Sequence, residues 1–516
     1  MLNLSVVLED AARRTPSKTA FIFGEMHVTF QQINACAAQV ANGLTALGLQ
    51  RGDKVALSCV NAPLFPIVYF GILKAGCVVV PLSVLLKKDE ITYHLTDSEA
   101  KAYFCFVGTP ELPMGKEGFE GFKATPTCDH FFIMMEKMTD PSPIADAQTF
   151  GSFLENQAIT FPTAQTNADD TAVIIYTSGT TGRPKGAELS HSNLLMNAFC
   201  CGELFNVTAD DTFITTLPMF HIFAMTVKMN LGLLRGLTNV LISRFDAATV
   251  IKAIERHKVT VFAGVPTMYW GLLNFKTDEF DVDNALKSLR IGVSGGASLP
   301  VQVLHDFEKR FNVPIYEGYG MSEGSPVVTF NQVGYERKAG SIGRPMWGVE
   351  VKLVDTDGNE PPLGEKGELL YRGHNVMKGY YRRPAATEET IQDGWLHSGD
   401  VAIQDADGYF YIVDRTKDMI IRGGLNVYPR EVEELMIQHP SVSMVAVIGM
   451  PSDEHGEEIK ACVVLKDGAS ATAEELILWT KERIAAYKYP RQVTFLPTLP
   501  MGASGKILKT ELRKSV

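Results

Sequence analysis

Apolar positions recur along this chain with two periods, and the two alternate. Leu4, Val7, Leu8 and Ala11 sit at helical spacing, with Glu9 and Asp10 between them. Thr29-Phe30-Gln31-Gln32 reads as a capping box opening a second helix. Ile33, Ala37, Val40, Leu44 and Leu47 then repeat in steps of four and three until Gly48 closes the run. A short strand is expected over residues 55–60, a helix over 67–75 ended by Gly76, and a buried strand over 77–82. Residues 91–98 and 102–107 repeat the pair. This alternation predicts an α/β fold with parallel sheets covered by helices. Residues 108–168 are polar, contain proline and carry little pattern, so they read as a connecting region.

A second α/β run covers residues 170–330. Ser190-His191-Ser192-Asn193 opens a helix through Leu194, Leu195 and Ala198. Strands are expected over 259–263 and 289–293, each running into a glycine-containing loop, Gly264-Val265-Pro266-Thr267 and Ser294-Gly295-Gly296-Ala297. In open α/β sheets, ligands bind beyond the carboxyl ends of strands, so these loops are expected to share one crevice. From about residue 335 turn signals become dense, and short β-rich runs at 349–354, 368–372 and 409–413 predict a small β-barrel-like subdomain. After the charged stretch Asp414-Arg415-Thr416-Lys417-Asp418 the pattern returns to α+β. Helices are expected over 429–438 and 473–486, and strands over 442–448 and 460–465. The predicted organisation is a large N-terminal domain, 1–415, and a small C-terminal domain, 416–516. The large domain divides into α/β subdomains at about 1–169 and 170–334 and a β-rich one at 335–415.

At 516 residues the chain exceeds what one core supports, in keeping with several domains. A net charge of −11 argues against a nonspecific nucleic-acid binder. The eight cysteines contain no Cys-x-x-Cys pair, so neither a zinc site nor a disulfide framework is indicated, and a reducing cytoplasmic setting fits. Glu9 and Asp10 break any signal-peptide core. The longest apolar run, 219–237, contains His221, Lys228 and Arg235, too polar for a bilayer span. Peripheral membrane contact and a homodimer stay compatible with the sequence.

The chemistry gathers on Tyr176-Thr177-Ser178-Gly179-Thr180-Thr181-Gly182-Arg183-Pro184-Lys185-Gly186, which follows the strand-like run Ala172-Val173-Ile174-Ile175. Glycines let backbone N–H groups approach a polyphosphate closely. Thr177, Ser178, Thr180 and Thr181 offer hydroxyl donors, and Lys185 adds a point charge. The string is no Walker loop, because Pro184 precedes the lysine and Gly186 follows it. A second strong signal is Tyr316-Glu317-Gly318-Tyr319-Gly320-Met321-Ser322-Glu323. An aromatic among glycines suits adenine stacking, and a carboxylate near phosphates suits Mg²⁺.

These strings resemble the signatures of the adenylate-forming superfamily, which comprises acyl-CoA synthetases, firefly-type luciferases and peptide-synthetase adenylation domains. The likeness runs through most of the chain. It implies that Thr177 to Gly182 and Lys185 hold ATP phosphates, that Glu317, Gly318, Tyr319, Gly320 and Ser322 serve the nucleotide, with Tyr319 on adenine, and that Glu323 serves Mg²⁺. Ser322 stands where the family usually has threonine. Gly295, Gly296 and Ala297 resemble the loop along adenine. In Ser398-Gly399-Asp400 the likeness assigns Asp400, with Arg415, to the ribose diol, and makes Lys417 the hinge. Gly423 and Gly424 would form a wall for pantetheine, and Lys488 would serve CoA phosphates. Lys506, in the Pro-x-x-x-x-Gly-Lys tail, would be the catalytic lysine. Leu217-Pro218-Met219-Phe220-His221-Ile222-Phe223-Ala224 resembles the carboxylate-side motif, with His221 near the reacting group. Phe220, Phe223, Met225, Tyr269 and the small Gly264 line an apolar acyl pocket on one reading, and the aromatics belong to the core on the other.

The resemblance therefore implies an AMP-forming ligase using ATP, Mg²⁺ and CoA. A carboxylate attacks ATP to give acyl-AMP and pyrophosphate, and the CoA thiol then displaces AMP. No extra arginine near the pocket is available to pair a second carboxylate, which disfavours dicarboxylic acids. Chain length and texture look most like bacterial medium- and long-chain fatty acyl-CoA synthetases. Aryl acid–CoA ligase, acyl-AMP ligase loading a carrier protein, and luciferase-type oxygenase are the alternatives.

Overall fold

The structure is a computed structural model, and it describes residues 2–177, 183–415, 418–423, 425–452 and 455–514. Local signals shape its helices where they were strongest. Thr29 caps the helix Phe30–Ala46 by accepting from Gln32 N–H at 3.2 Å, while the Gln32 side chain accepts from Thr29 N–H at 2.8 Å. Ile33, Ala37, Val40 and Leu44 are buried along it; Leu47 is the C-cap and stands 37% exposed. Ser190 and Asn193 form the same reciprocal cap on the helix His191–Leu204.

Among the described residues, one sheet runs in the order Gly379–Tyr380, Lys185–Ser190, Thr171–Thr177, Val78–Pro81, Lys54–Ser58, Ala100–Phe106, His130–Met134, Gln148–Thr149. From Thr171–Thr177 onward its neighbours are parallel. The segment 108–168 is therefore more than a connector. It supplies the helix Met114–Lys123 and two strands of this sheet. A second sheet has the order Arg344–Pro345, Val327–Phe330, Ile315–Gly320, Ile291–Ser294, Val261–Gly264, Thr212–Thr215, Thr238–Leu241, Thr19–Phe23, Met26–Thr29.

The chain does not change sheet at residue 169/170. Thr19–Phe23 lies parallel to Thr238–Leu241 in the second sheet, while Thr171–Thr177 pairs with Val78–Pro81 in the first. Such exchange buries one continuous core between the sheets, reaching from Leu4 to Phe410.

The β-rich region is an antiparallel sheet of Val349–Val354, Gly367–Gly373, Trp395–Gln404, Ile391–Gln392 and Phe410–Arg415. The C-terminal region has its own cores, around Val432, Val447 and Ile459 and around Ile448, Leu499 and Leu512. Its strands are Ile420–Arg422, Leu425–Val427, Val442–Ser452, Gly456–Leu465 and Gln492–Phe495. Among the described residues, no helix is long and apolar enough to cross a membrane.

Candidate active site

Loops from the carboxyl ends of the second sheet meet the first sheet's hairpin. Thr177 lies opposite Lys185 in that hairpin. Ser178, Gly179, Thr180, Thr181 and Gly182, between them, lie outside the described residues, as do Lys417 and Gly424. Lys185 Nζ sits 4.1 Å from the centre of the Tyr380 ring. The Tyr380 hydroxyl donates to Glu323 Oε1 at 2.8 Å, and the Thr177 hydroxyl donates to the same oxygen at 3.3 Å. Glu323 is buried. Tyr380 thus joins the hairpin's cation to the second motif's carboxylate.

Across the crevice the Tyr319 hydroxyl donates to Asp400 Oδ2 at 2.5 Å. Burial, and then the Asp400 charge, hold the Tyr319 phenol well above its ordinary range. Asp400 faces Arg415 in the strand register, so the Ser398-Gly399-Asp400 motif adjoins the entry to the C-terminal region. A Cβ on Gly295 would lie 3.5 Å from the Gly318 carbonyl and 3.5 Å from the Phe223 ring. Gly296 adopts φ +81°, a conformation suited to glycine. The Gly295-Gly296-Ala297 loop, the strand Ile315–Gly320 and Phe223 therefore pack together.

His221 caps a short helical turn, its Nδ1 accepting from Phe223 N–H at 3.3 Å. The chain continues as a π-helix, Met225–Asn230, a form often found beside functional sites. Phe220 and Phe223 are buried near the surface of the core, and Met225 lies fully within it. Desolvation, and then the Lys506 charge, push the His221 imidazole down to about 4. Lys506 is itself exposed and sits in a turn closed by Gly502 N–H donating to the Lys506 carbonyl at 2.8 Å. The Thr267 hydroxyl donates to the Gly505 carbonyl at 3.0 Å. This brings the C-terminal lysine tail onto the His221 side of the crevice.

Two expected residues take other places. Tyr269 is fully buried, its hydroxyl donates to the Phe262 and Val293 carbonyls at 3.2 and 3.0 Å, and its ring packs on Phe307. It belongs to the core beneath the sheet, where backbone carbonyls satisfy its polar end. Glu317 is also buried, and its Oε1 accepts from Leu299 N–H at 2.8 Å. It braces the segment after Gly295-Gly296-Ala297 from behind, and burial pushes its carboxyl up to about 7. Gly264 abuts Phe262 and Met268; a Cβ there would stand 2.9 Å from the Phe262 ring. Lys488 is held by both oxygens of Glu431, at 2.6 and 2.8 Å. Gly423 has φ +56° and donates to the His455 carbonyl at 2.8 Å. No local pattern in the sequence points to Tyr380, and within the crevice loop Gly264-Val265-Pro266-Thr267 nothing marks Thr267 as the donor that fastens the tail.

Among the described residues, no three His, Cys, Asp or Glu side chains cluster around one point. Glu323 contributes a single carboxylate beside Lys185 and Thr177. One carboxylate together with substrate phosphate oxygens is the donor set Mg²⁺ commonly takes, so the residues fit an ion arriving with the nucleotide.

Comparison with known proteins agrees with this geometry. Residues 8–381 match the AMP-binding enzyme family, and residues 431–506 match the AMP-binding enzyme C-terminal domain. The chain is 36% identical over 535 residues to a long-chain-fatty-acid–CoA ligase of Bacillus subtilis, covering 99% of this chain and 94% of that one. It is 36% identical over 519 residues to a feruloyl-CoA synthase of an Amycolatopsis species, covering 98% and 97%. The crystal structure of an anthranilate CoA ligase in complex with anthranoyl-AMP superposes with a TM-score of 0.92 at 30% identity, covering 100% of this chain and 97% of that one. The chain belongs to the AMP-binding enzyme family. Within it, the protein is an adenylate-forming acyl-CoA synthetase that uses ATP, Mg²⁺ and CoA.

Proposed function

We propose that the protein joins a long-chain fatty acid to CoA in two half-reactions. In the first, a carboxylate oxygen attacks the α-phosphorus of ATP, and the bond to pyrophosphate breaks. Carboxylate and triphosphate repel, so cations must offset the developing charge. Lys185 and Lys506 would supply it on opposite sides, and Glu323 would hold Mg²⁺, whose bound charge neutralises phosphate oxygens. Neutral His221 would border the carboxylate, Tyr319 would lie against adenine, and Asp400 would take the ribose hydroxyls. In the second, residues 416–516 would turn about Lys417, withdraw Lys506 and present Gly423 and Gly424 to pantetheine. The CoA sulfur would then attack the acyl carbon, and AMP leaves.

The observation that carries this reading is the lysine tail seated beside His221, with Gly505 fastened to Thr267. It fits the first half-reaction. The fatty acid rests on the apolar residues Phe220 and Phe223 and on the likeness to the Bacillus ligase. Feruloyl-CoA synthase at equal identity favours an aryl acid as the second reading. Exchange of labelled pyrophosphate into ATP, dependent on added fatty acid and independent of CoA, tests the first half-reaction; no exchange with any acid would refute it. A cytoplasmic setting, peripheral membrane contact and a homodimer belong to the same proposal. Sedimentation with and without lipid vesicles tests the last two.

A further inference from the structure

One buried carboxamide joins the two sheets at the point from which the chain runs on to His221. Asn61 follows the strand Lys54–Ser58 of the first sheet, just before the helix Leu64–Lys74, and is 2% exposed. Its Nδ2 donates to the Leu217 carbonyl at 2.9 Å and to the Ile242 carbonyl at 3.0 Å, with a longer contact to the Thr215 carbonyl at 3.3 Å. Its Oδ1 accepts from Met219 N–H at 2.8 Å.

These partners lie where two neighbouring strands of the second sheet run out. The ladder between Thr212–Thr215 and Thr238–Leu241 ends at the pair Thr215 and Leu241, and Leu217, Met219 and Ile242 stand beyond it. Leu217 and Met219 are buried, and buried backbone groups need partners. A carboxamide has two N–H donors and an acceptor oxygen, which matches the two shorter carbonyl contacts and the Met219 N–H. An ionised aspartate would offer no donor. The bracket encloses Pro218, which has no N–H of its own. The Pro218 carbonyl in turn accepts from His221 N–H at 2.9 Å, and the His221 carbonyl accepts from Met225 N–H at 3.0 Å. The backbone that carries Phe220 and His221 is thus fixed by a side chain of the first sheet, 158 residues before Met219.

We propose that Asn61 is a positioning residue for the first half-reaction. It fixes Leu217-Pro218-Met219, and through that segment it holds the His221 imidazole at the carboxylate end of the acyl site. The nucleotide side, built on Lys185, Tyr319 and Asp400, is carried by other elements. The proposal rests on the reading above that His221 borders the reacting carboxylate.

The test measures pyrophosphate release driven by fatty acid in wild type, Asn61→Ala, His221→Ala and the double variant. Asn61→Ala should lower kcat/KM for fatty acid by about 10- to 100-fold, the effect of leaving buried polar partners unpaired, while the KM for ATP stays unchanged. In the His221→Ala background the same substitution should cost little more, because residues that act through one another are not additive. Asn61→Ser keeps one donor and one acceptor, should lose less, and carries the same comparison if alanine melts the fold. A merely structural role would raise the KM for ATP as far as that for fatty acid and would multiply the two losses in full; either result overturns the proposal. A His221→Ala enzyme as active as wild type overturns it as well. A wild-type protein that releases no pyrophosphate with any acid would instead refute the two-step reading.

Discussion

The Thr267 hydroxyl donates to the Gly505 carbonyl at 3.0 Å, tying the residue before Lys506 to the first turn of the helix Pro266–Asn274, which follows a strand of the second sheet. A cation on an exposed tail is thereby held at a defined place near the His221 imidazole. Lys506→Ala should lower acid-dependent pyrophosphate release by about two to three orders of magnitude, the effect of removing one charge-stabilising donor. Thioester formation from supplied acyl-AMP should continue. Equal loss in the two assays would count against the assignment.

Gly505 should tolerate no side chain. Its φ is +78°, and a Cβ would stand 2.9 Å from Val265 Cγ2. Gly505→Ala adds both left-handed strain and a clash, so the turn should swing away from Thr267. The first half-reaction is expected to fall by at least about tenfold, for about 1–2 kcal/mol of strain. Stopped-flow measurement of pyrophosphate release checks this, and wild-type rates would remove the argument for close docking.

Tyr380 links Lys185 to Glu323 through its ring and hydroxyl. Tyr380→Phe keeps the ring under the lysine and removes the donor to the carboxylate. A hydrogen bond to a charged group contributes about 1.5–3 kcal/mol, so about 10- to 100-fold loss in kcat/KM for ATP is expected. Titration of activity against Mg²⁺ should show a displaced midpoint. An unmoved midpoint would mean that the hydroxyl only fills space.

Two histidines should make the fold acid-sensitive. Burial pushes His191 down to about 4, with its Nδ1 accepting from Leu4 N–H at 3.1 Å, and His221 moves the same way. The unfolded chain binds these protons first as pH falls, so stability is full above about 6.5 and is lost between about 6.5 and 4. His191 alone corresponds to about 3 kcal/mol across that window. His191→Gln should flatten the fall of Tm with pH over this range, and parallel curves for variant and wild type would exclude the assignment.

What was legible in the sequence was local or rested on an uninterrupted motif. The reciprocal cap at Thr29 and Gln32 spans three residues, so spacing alone reveals it, and Ser190 likewise marks the start of the helix His191–Leu204. The helix Met114–Lys123 was hidden because Gly115, Gly118 and Gly121 weaken its helical signal. The fold needs them: a Cβ at Gly118 would meet Cys105 Sγ at 2.6 Å, and one at Gly121 would meet Ile91 Cγ2 at 2.6 Å. The transfer of Thr19–Phe23 to the second sheet depends on a partner more than two hundred residues away, which no window of sequence contains. Tyr319, Glu323, Asp400 and Lys506 stand in uninterrupted motifs, which mark them as candidates from the sequence. The hydrogen bond from Tyr380 to Glu323 joins a strand of the first sheet to the turn Ser322–Gly324 between two strands of the second, and could be found only in the fold.

The most direct test of the account measures pyrophosphate release and thioester formation together across a panel of acids. Saturated fatty acids of increasing length stand beside ferulic, benzoic and anthranilic acids, each with and without CoA. The account predicts acyl-AMP and pyrophosphate with long-chain fatty acids alone, thioester only when CoA is added, and kcat/KM for the best fatty acid well above that for any aryl acid. An aryl acid outrunning every fatty acid, or acyl-AMP that CoA never converts to thioester, would contradict it.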